Sequence, residues 1–194
     1  MDKFGFEETR QRIIETNRQL LTLLSVQAQN YFVKSFTNQG FNDKPWKEVQ
    51  RRDPKTRAYK YPLTKGLQRR TAPILTGAGY KHRGGTLRRA VGTMSSTAQI
   101  TGMQIRMTVD VPYAQIHNDG GIISKRSRSA VVHFGNNGNR VAFSTKKNAT
   151  FAQKVSIGAH TITIPQRQFI GQTQELMDMQ RKKITNIVSR VWGV

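Results

Sequence analysis

Two stretches of the chain repeat their apolar residues at the three- and four-residue steps of an α-helix. The first predicts an N-terminal helix over 7–37, with Gly40 as its left-handed cap. The second predicts a C-terminal helix that begins near Thr173, with acidic residues in its first turns and basic residues after them, as the helix dipole favours. A long helix needs an apolar surface to lie on, and a sheet is the usual one.

Between these helices, alternation of apolar and polar residues predicts antiparallel strands. From Met103 to Val111 every second residue is apolar, which is typical of a strand with one buried face. Weaker patterns predict a strand at 87–93, a hairpin turn at 95–97, a strand at 113–117 and a turn at 118–121. Together these segments predict a sheet over 86–121.

Residues 122–160 form a long excursion from this sheet. Within it, 131–134 and 140–143 flank a run rich in Gly and Asn, which is a hairpin signature. The chain is then expected to return as a last strand at 161–164, which stops at Pro165, so that 161–192 holds the last strand and the C-terminal helix.

The region 41–85 contains four prolines and is predicted to be an irregular loop with Trp46 packed beneath it. The resulting fold class is α+β. Long N-terminal and C-terminal helices pack on a three- to four-stranded antiparallel sheet, and 122–160 is an inserted hairpin arm. The length of 194 residues favours a single domain, 1–194.

Positive charge is concentrated in the middle of the chain. The sequence has 32 Lys and Arg against 11 Asp and Glu, a net charge of +21, and residues 54–174 hold 19 of the bases and two of the acids. A field of this sign attracts polyanions and repels copies of the chain. We therefore expect contact with nucleic acid or with an acidic protein.

The residue inventory excludes several classes of function. No run approaches the roughly 18 apolar residues of a membrane span, and residues 1–10 lack the apolar region of a signal peptide. There is no Cys, the four His lack metal-ligand spacing, and carboxylates are too sparse for a two-metal nuclease. Phosphate-binding and nucleophile-elbow motifs are absent. His117 near Asp119 is interpreted as structural, so we predict no enzyme, no metal and no cofactor.

Five strings, read in order, carry a resemblance to a known family. They are Phe36…Gly40-Phe41…Trp46, Ile74-Leu75-Thr76-Gly77, Leu87-Arg88-Arg89-Ala90-Val91, Pro112-Tyr113-Ala114-Gln115-Ile116-His117-Asn118-Asp119-Gly120-Gly121 and Ile164-Pro165-Gln166-Arg167-Gln168-Phe169-Ile170-Gly171. The chain resembles the phage virion morphogenesis family, which includes the tail completion proteins of Mu-like and P2-like tailed phages. The last two strings, followed by an amphipathic helix, are the specific part.

The resemblance implies a structural virion protein that acts at the neck, where a ring of copies joins the tail to the DNA-filled head. By analogy with tail symmetry the ring is expected to be a hexamer. Its neighbours would be a connector or adaptor and a tail terminator or tail tube, with no membrane partner. Localisation would be the virion, and the host cytoplasm during assembly. The matching structural or interface residues are Trp46, Tyr113, His117, Gly120, Gly121, Pro165, Arg167, Phe169 and Gly171.

The arm at 122–160 contains seven bases and no acid. We expect it to meet either genomic DNA in the channel or an acidic face of a neighbouring ring. The alternative for the whole chain is a basic nucleic-acid-binding protein without sequence specificity, which explains the charge but not the strings. The arm bases are Lys125, Arg126, Arg128, Arg140, Lys146, Lys147 and Lys154.

Overall fold

The computed structural model describes residues 5–60, 73–75, 87–100, 102–137 and 140–193. The chain divides into two compact units. Unit 1 comprises Met1–Asp119 and Pro165–Val194, and unit 2 comprises Gly120–Ile164. Helices at both ends of unit 1 and antiparallel pairing of the strands confirm the α+β class. Within the described residues, the strands form four small sheets of two or three strands instead of one sheet of three to four.

The first helix, α1, spans Phe6–Asn38, close to the predicted 7–37. The prediction that Gly40 caps it is wrong, because Gln39 takes the left-handed conformation with φ 53° and donates its backbone N–H to Ser35 O. Gly40 instead begins β1 (Gly40–Phe41), which pairs with β2 (Lys44–Pro45). A Cβ at Gly40 would lie 2.6 Å from Lys44 O, so only glycine lets these strands approach.

Two segments predicted as strands are short helices. After α2 (Arg57–Lys60), most of the predicted strand at 87–93 is the helix α3 (Leu87–Gly92). Most of the predicted strand at 113–117 lies in the helix α4 (Ala114–Asp119). In α3 the buried side chains Leu87 and Val91 are four residues apart. Residues four apart lie on one side of a strand and also on one side of a helix. The apolar pattern alone therefore could not distinguish a strand from a helix here.

The hairpin before the string Pro112–Gly121 contains β3 (Ser95–Gln99) and β4 (Gln104–Thr108), which pair antiparallel with Ser95 opposite Thr108. The predicted turn at 95–97 is therefore wrong, because the chain turns between Gln99 and Gln104. The alternation predicted for Met103–Val111 is confirmed over β4, whose apolar residues are half-buried and whose polar residues are exposed.

The last helix, α5, spans Gln174–Trp192 and begins where predicted. Thr173 is its N-cap, and its hydroxyl accepts a hydrogen bond from the backbone N–H of Leu176 at 3.1 Å. Leu176, Ile184 and Ile187 belong to the apolar repeat that predicted this helix. Leu176 and Ile187 are buried, whereas Ile184 is 37% exposed.

The core of unit 1 is formed mainly by helices packing against loops, and less by helices packing against a sheet. Its centre is aromatic: Phe36 contacts Trp46 edge-to-face at 5.5 Å and Phe169 at 5.3 Å. The other buried members of this cluster are Ala28, Phe32, Phe41, Ile74, Leu87, Val91, Met94 and Leu176, and Met107, Val109 and Val111 pack against it.

Of the loop predicted for 41–85, residues 61–72 and 76–85 lie outside the described residues, as do Thr76 and Gly77 of the second string.

Unit 2 consists of two antiparallel sheets. One pairs β5 (Gly121–Lys125) with β9 (His160–Ile164). The other has the order β7–β6–β8, with β6 (Arg128–Asn137) between β7 (Arg140–Phe143) and β8 (Phe151–Ile157). The predicted hairpin is confirmed with a shorter turn, since β6 runs on to Asn137. The last strand ends at Ile164, before Pro165, as predicted, whereas β5 and β8 were not predicted.

Candidate functional site

The two specific strings are separated by unit 2 in the sequence, yet their parts in unit 1 are hydrogen bonded to each other. The backbone N–H of Arg167 donates to His117 O at 2.8 Å. The side-chain oxygen of Asn118 accepts from the backbone N–H groups of Phe169 and Ile170, both at 3.0 Å. We call this cluster the motif junction and define it as Trp46, Lys47, His117, Asn118, Arg167, Gln168, Phe169 and Ile170.

The loop after β2 contributes Trp46 and Lys47 to the junction, and both are hydrogen bonded to the string Ile164–Gly171. Trp46 is buried, as predicted, and its indole N–H donates to Gln168 O at 2.6 Å. In the opposite direction, Arg167 donates from Nε and Nη2 to Lys47 O at 3.2 and 3.0 Å. Three segments far apart in sequence are therefore joined through backbone carbonyls and backbone amides. Such bonds depend on backbone position, so they fix the geometry of the three segments.

Arg167 is a charged side chain that is only 6% exposed. Its guanidinium donates to a loop carbonyl, that of Lys47. Burial lowers the pKa of Arg167, and the positive charge of Arg51 lowers it further, while Glu48 acts in the opposite direction. A guanidinium remains charged despite such a shift, so the junction contains a cation held mainly by neutral groups.

His117 lies on α4 with its imidazole edge-to-face against Tyr113, at 5.9 Å between ring centroids. Its Nδ1 is buried and has no hydrogen-bond partner among the described residues. Burial, and then the charge of Arg167, lowers the pKa of His117. Asp119 instead accepts a hydrogen bond from the Asn118 amide at 2.7 Å.

The remaining motif residues are placed by local geometry. Gly120 follows α4 with φ 75°, a conformation that glycine adopts without strain. Gly121 pairs with Ile164 at the start of β5, and Pro165 follows directly after β9. Phe169 is fully buried, so it belongs to the core. A Cβ added at Gly171 would collide with the Gln168 side chain and crowd the Phe41 ring at 3.4 Å.

The arm bases are distributed over unit 2 and separate from the junction. Lys125 ends β5, Arg126 follows it, Arg128 begins β6 and Lys154 lies in β8; Lys146 and Lys147 begin a 3-10 turn, Lys146–Asn148. All six side chains are exposed. Arg140 begins β7, and its side chain lies outside the described part of the structure.

Two polar residues, Asn118 and Gln39, bind backbone groups in or next to the junction, and neither was predicted from the sequence as a site residue. Asn118 was read only as part of a turn, although an Asn at a helix end is a common side-chain acceptor. Gln39 donates to Phe36 O at 2.6 Å and accepts from the backbone N–H of Ile74 at 2.5 Å. No local signal marks Gln39, because its partner Ile74 is 35 residues away.

The junction's chemistry is that of a structural clamp. Its side chains donate to and accept from backbone groups, and the described residues contain no group of three or more His, Asp or Glu that could hold a metal ion. Within the same residues no helix is long and apolar enough to cross a membrane. Comparisons with protein-family models, curated proteins and solved structures found no match to this chain.

Proposed function

We propose that this chain is a structural, non-enzymatic virion protein of a tailed bacteriophage, a tail completion or neck protein whose ring joins the tail to the DNA-filled head. The observation that carries the proposal is the motif junction. The two strings on which the family resemblance depends, Pro112–Gly121 and Ile164–Gly171, are bonded to each other through His117, Asn118 and Arg167. If the two strings mark a shared architecture, their residues are expected to contact each other in the folded chain.

The charge of unit 2 supports a role in assembly. It has seven bases and no acid in 45 residues, so it carries a +7 surface into any complex it joins. In a neck this surface would face DNA in the channel or an acidic protein ring. The partners are then further copies of the chain and the neighbouring neck proteins, and the location is the virion after assembly in the host cytoplasm.

Deletion of the gene from the phage tests the proposal. Filled heads and finished tails should accumulate unjoined in electron micrographs, and the purified protein added to the extract should join them. Empty heads, or an absence of tails, would contradict the assigned step. A hexamer of 22.0 kDa chains should have a molecular mass of about 130 kDa in analytical ultracentrifugation.

The net charge of +21 favours a second candidate, a nucleic-acid-binding protein without sequence specificity. This candidate predicts a monomer that binds duplex DNA tightly at low salt. Its affinity should fall by close to one logarithmic unit per phosphate contact for each tenfold rise in salt. Normal joining of heads and tails without the protein, together with such binding, would favour it over the neck protein.

A further inference from the structure

The three-stranded sheet of unit 2 has one face that is mostly polar and open to solvent. Alternate residues of a strand share a face of the sheet, and so do directly paired residues. Every second residue of β6 and its partner in β8 form this face, and all of them are exposed except His133, which is half-buried. They are Ser129, Val131, His133, Ala152, Lys154 and Ser156. We call these six residues, together with the segment 144–150, the lysine face.

The segment 144–150 connects β7 to β8 and packs on one end of this face. The Cβ position of Gly135 is on the same side of β6, and a Cβ built there would lie 2.9–3.0 Å from atoms of the segment. The backbone N–H groups of Ser144 and Thr150 donate to carbonyls of β6 at 2.9 and 2.8 Å. Lys146 and Lys147 are exposed on this segment, so the sheet fixes the backbone from which both cations extend.

The lysine face carries positive charge that no carboxylate neutralises. Unit 2 contains no Asp or Glu, and every ion pair among the described residues lies in unit 1. Lys154 is paired with Val131, which lies four residues before Gly135 on β6. Those four residues span roughly 13 Å of strand. The face therefore presents Lys154 and the pair Lys146 and Lys147 at two fixed positions along the sheet.

The composition of the lysine face fits phosphate better than a protein surface. The centres of protein interfaces are apolar or aromatic and are depleted in lysine, whereas the apolar residues of this face are only Val131 and Ala152. Lysine and serine side chains are common ligands of DNA phosphates. Duplex DNA carries one charge per 1.7 Å, roughly eight over 13 Å, and releases condensed counterions when cations bind it. An extended acidic peptide carries at most about one charge per 3.3 Å.

The aromatic side chains of the sheet are on the other face. The pairing places Phe134 beside Phe143 and Phe151, on the side of β6 opposite Gly135 and the segment 144–150. Bases of a single strand bind by stacking on aromatic rings, and the lysine face has no aromatic ring apart from the half-buried His133. A nucleic acid on this face would therefore be held by its backbone, which favours a duplex.

We propose that the lysine face binds the phosphate backbone of duplex DNA without sequence preference, through Lys146, Lys147 and Lys154. The inference deepens the proposed function and rests on it for the source of the duplex, which is the genome in the channel of the neck. Of the two partners that net charge alone left open for unit 2, it selects DNA over an acidic protein ring.

The test uses the full chain and a fluorescent 30-base-pair duplex of mixed sequence, with binding followed by anisotropy. Lys146→Gln, Lys147→Gln and Lys154→Gln together should weaken binding by about tenfold or more in 0.1 M salt, because three phosphate contacts are lost. The slope of log affinity against log salt should become shallower by about two to three. A second duplex of unrelated sequence should bind within about threefold of the first.

The matched control removes the same charge from unit 1. Lys55→Gln, Lys182→Gln and Lys183→Gln change three exposed lysines and leave the same net charge as the first triple variant. This control should weaken binding by less than about threefold and change the slope by less than about one, because only the overall field is reduced. Phe143→Ser, on the opposite face of the sheet, should leave the duplex affinity within about twofold of wild type.

Several results would overturn the proposal. Absence of saturable duplex binding in 0.1 M salt would do so, as would equal losses in the two triple variants, which would assign binding to net charge. Poly-glutamate that binds more tightly than the duplex through the same three lysines would assign the face to an acidic protein. Oligothymidine that binds more tightly than the duplex and is lost in Phe143→Ser would assign nucleic acid to the opposite face.

Head–tail joining in extracts tests the proposed function separately. If the wild-type chain binds the duplex as expected but does not join particles, the neck assignment fails while the DNA-binding face stands. If the wild-type chain joins particles and the first triple variant binds the duplex like wild type, the face is wrong while the neck assignment stands.

Discussion

Asn118 offers the sharpest test of the motif junction, because one side-chain oxygen accepts two backbone N–H groups. Asn118→Ala would leave the amides of Phe169 and Ile170, each 3.0 Å from that oxygen, without their acceptor in a part-buried site. An unsatisfied buried donor costs about 1–3 kcal/mol. We therefore expect the free energy of unfolding to fall by about 2–4 kcal/mol, a large fraction of the stability of a single domain.

The assay is urea unfolding followed by tryptophan fluorescence. Trp46 lies in the junction and is buried, whereas Trp192 is 38% exposed, so a Trp192→Phe background makes Trp46 the single reporter. Asn118→Asp keeps an acceptor and should retain at least half of the lost stability. Asn30→Ala changes an exposed Asn of α1 and should be close to neutral.

The reasoning would be refuted if Asn118→Ala changed the free energy of unfolding by no more than Asn30→Ala. In that case water would replace the side chain at the two amides, and the two strings would be held together by the Arg167–His117 backbone hydrogen bond and by packing of Phe169.

Three further predictions concern unit 1. Ile187→Ala should cost about 2–5 kcal/mol in urea unfolding, while Ile184→Ala, at a position that is 37% exposed, should cost under about 1 kcal/mol; equal costs would contradict the observed burial. Gly171→Ala should cost about 1 kcal/mol or less in the same assay, because the added Cβ displaces only the terminal amide of the flexible Gln168 side chain and its hydrogen bond to Ile170 O; a cost above about 3 kcal/mol would contradict this. The folded state holds the pKa of His117 low, so its contribution to stability is complete above the unfolded pKa of about 6.5 and falls as the pH drops below it. His117→Gln should flatten stability against pH between pH 5 and 7, and an unchanged slope would exclude His117 as its cause.

The elements that the sequence predicted correctly are those with local signals. Helix α5 begins at Gln174 because the capping hydroxyl of Thr173 precedes an apolar stripe, and both features are visible in the sequence. Helix α1, which has no side-chain cap, was predicted within one residue at each end from its apolar repeat. The hairpin of β6 and β7 was found from its Asn- and Gly-rich turn, although the length of that turn was overestimated.

The two wrong strand predictions have a common cause, which is that residues four apart share one side of a strand as well as of a helix. Leu87 with Val91 and Tyr113 with His117 both have this spacing, and Leu87 and Val91 are buried on the helix α3. The left-handed cap at Gln39 depends on hydrogen bonds to Ile74, a contact that no local pattern reveals. The strings were found as sequence, but their mutual hydrogen bonds required the structure.

The register of β5 and β9 makes the independence of the two units testable. Lys125 is paired directly with His160, so replacing residues 126–159 by Asn-Gly would close the two strands with a two-residue turn of the type that suits antiparallel pairs. The junction's hydrogen bonds all lie within unit 1, and closing a shorter loop costs less entropy. We expect the shortened chain to fold, with Trp46 fluorescence and urea stability of unit 1 at least equal to those of the full chain. A loss of more than about 1 kcal/mol would show that unit 2 contributes to the stability of unit 1. If the shortened chain keeps the wild-type stability but cannot join heads to tails, unit 2 acts in assembly and not in folding.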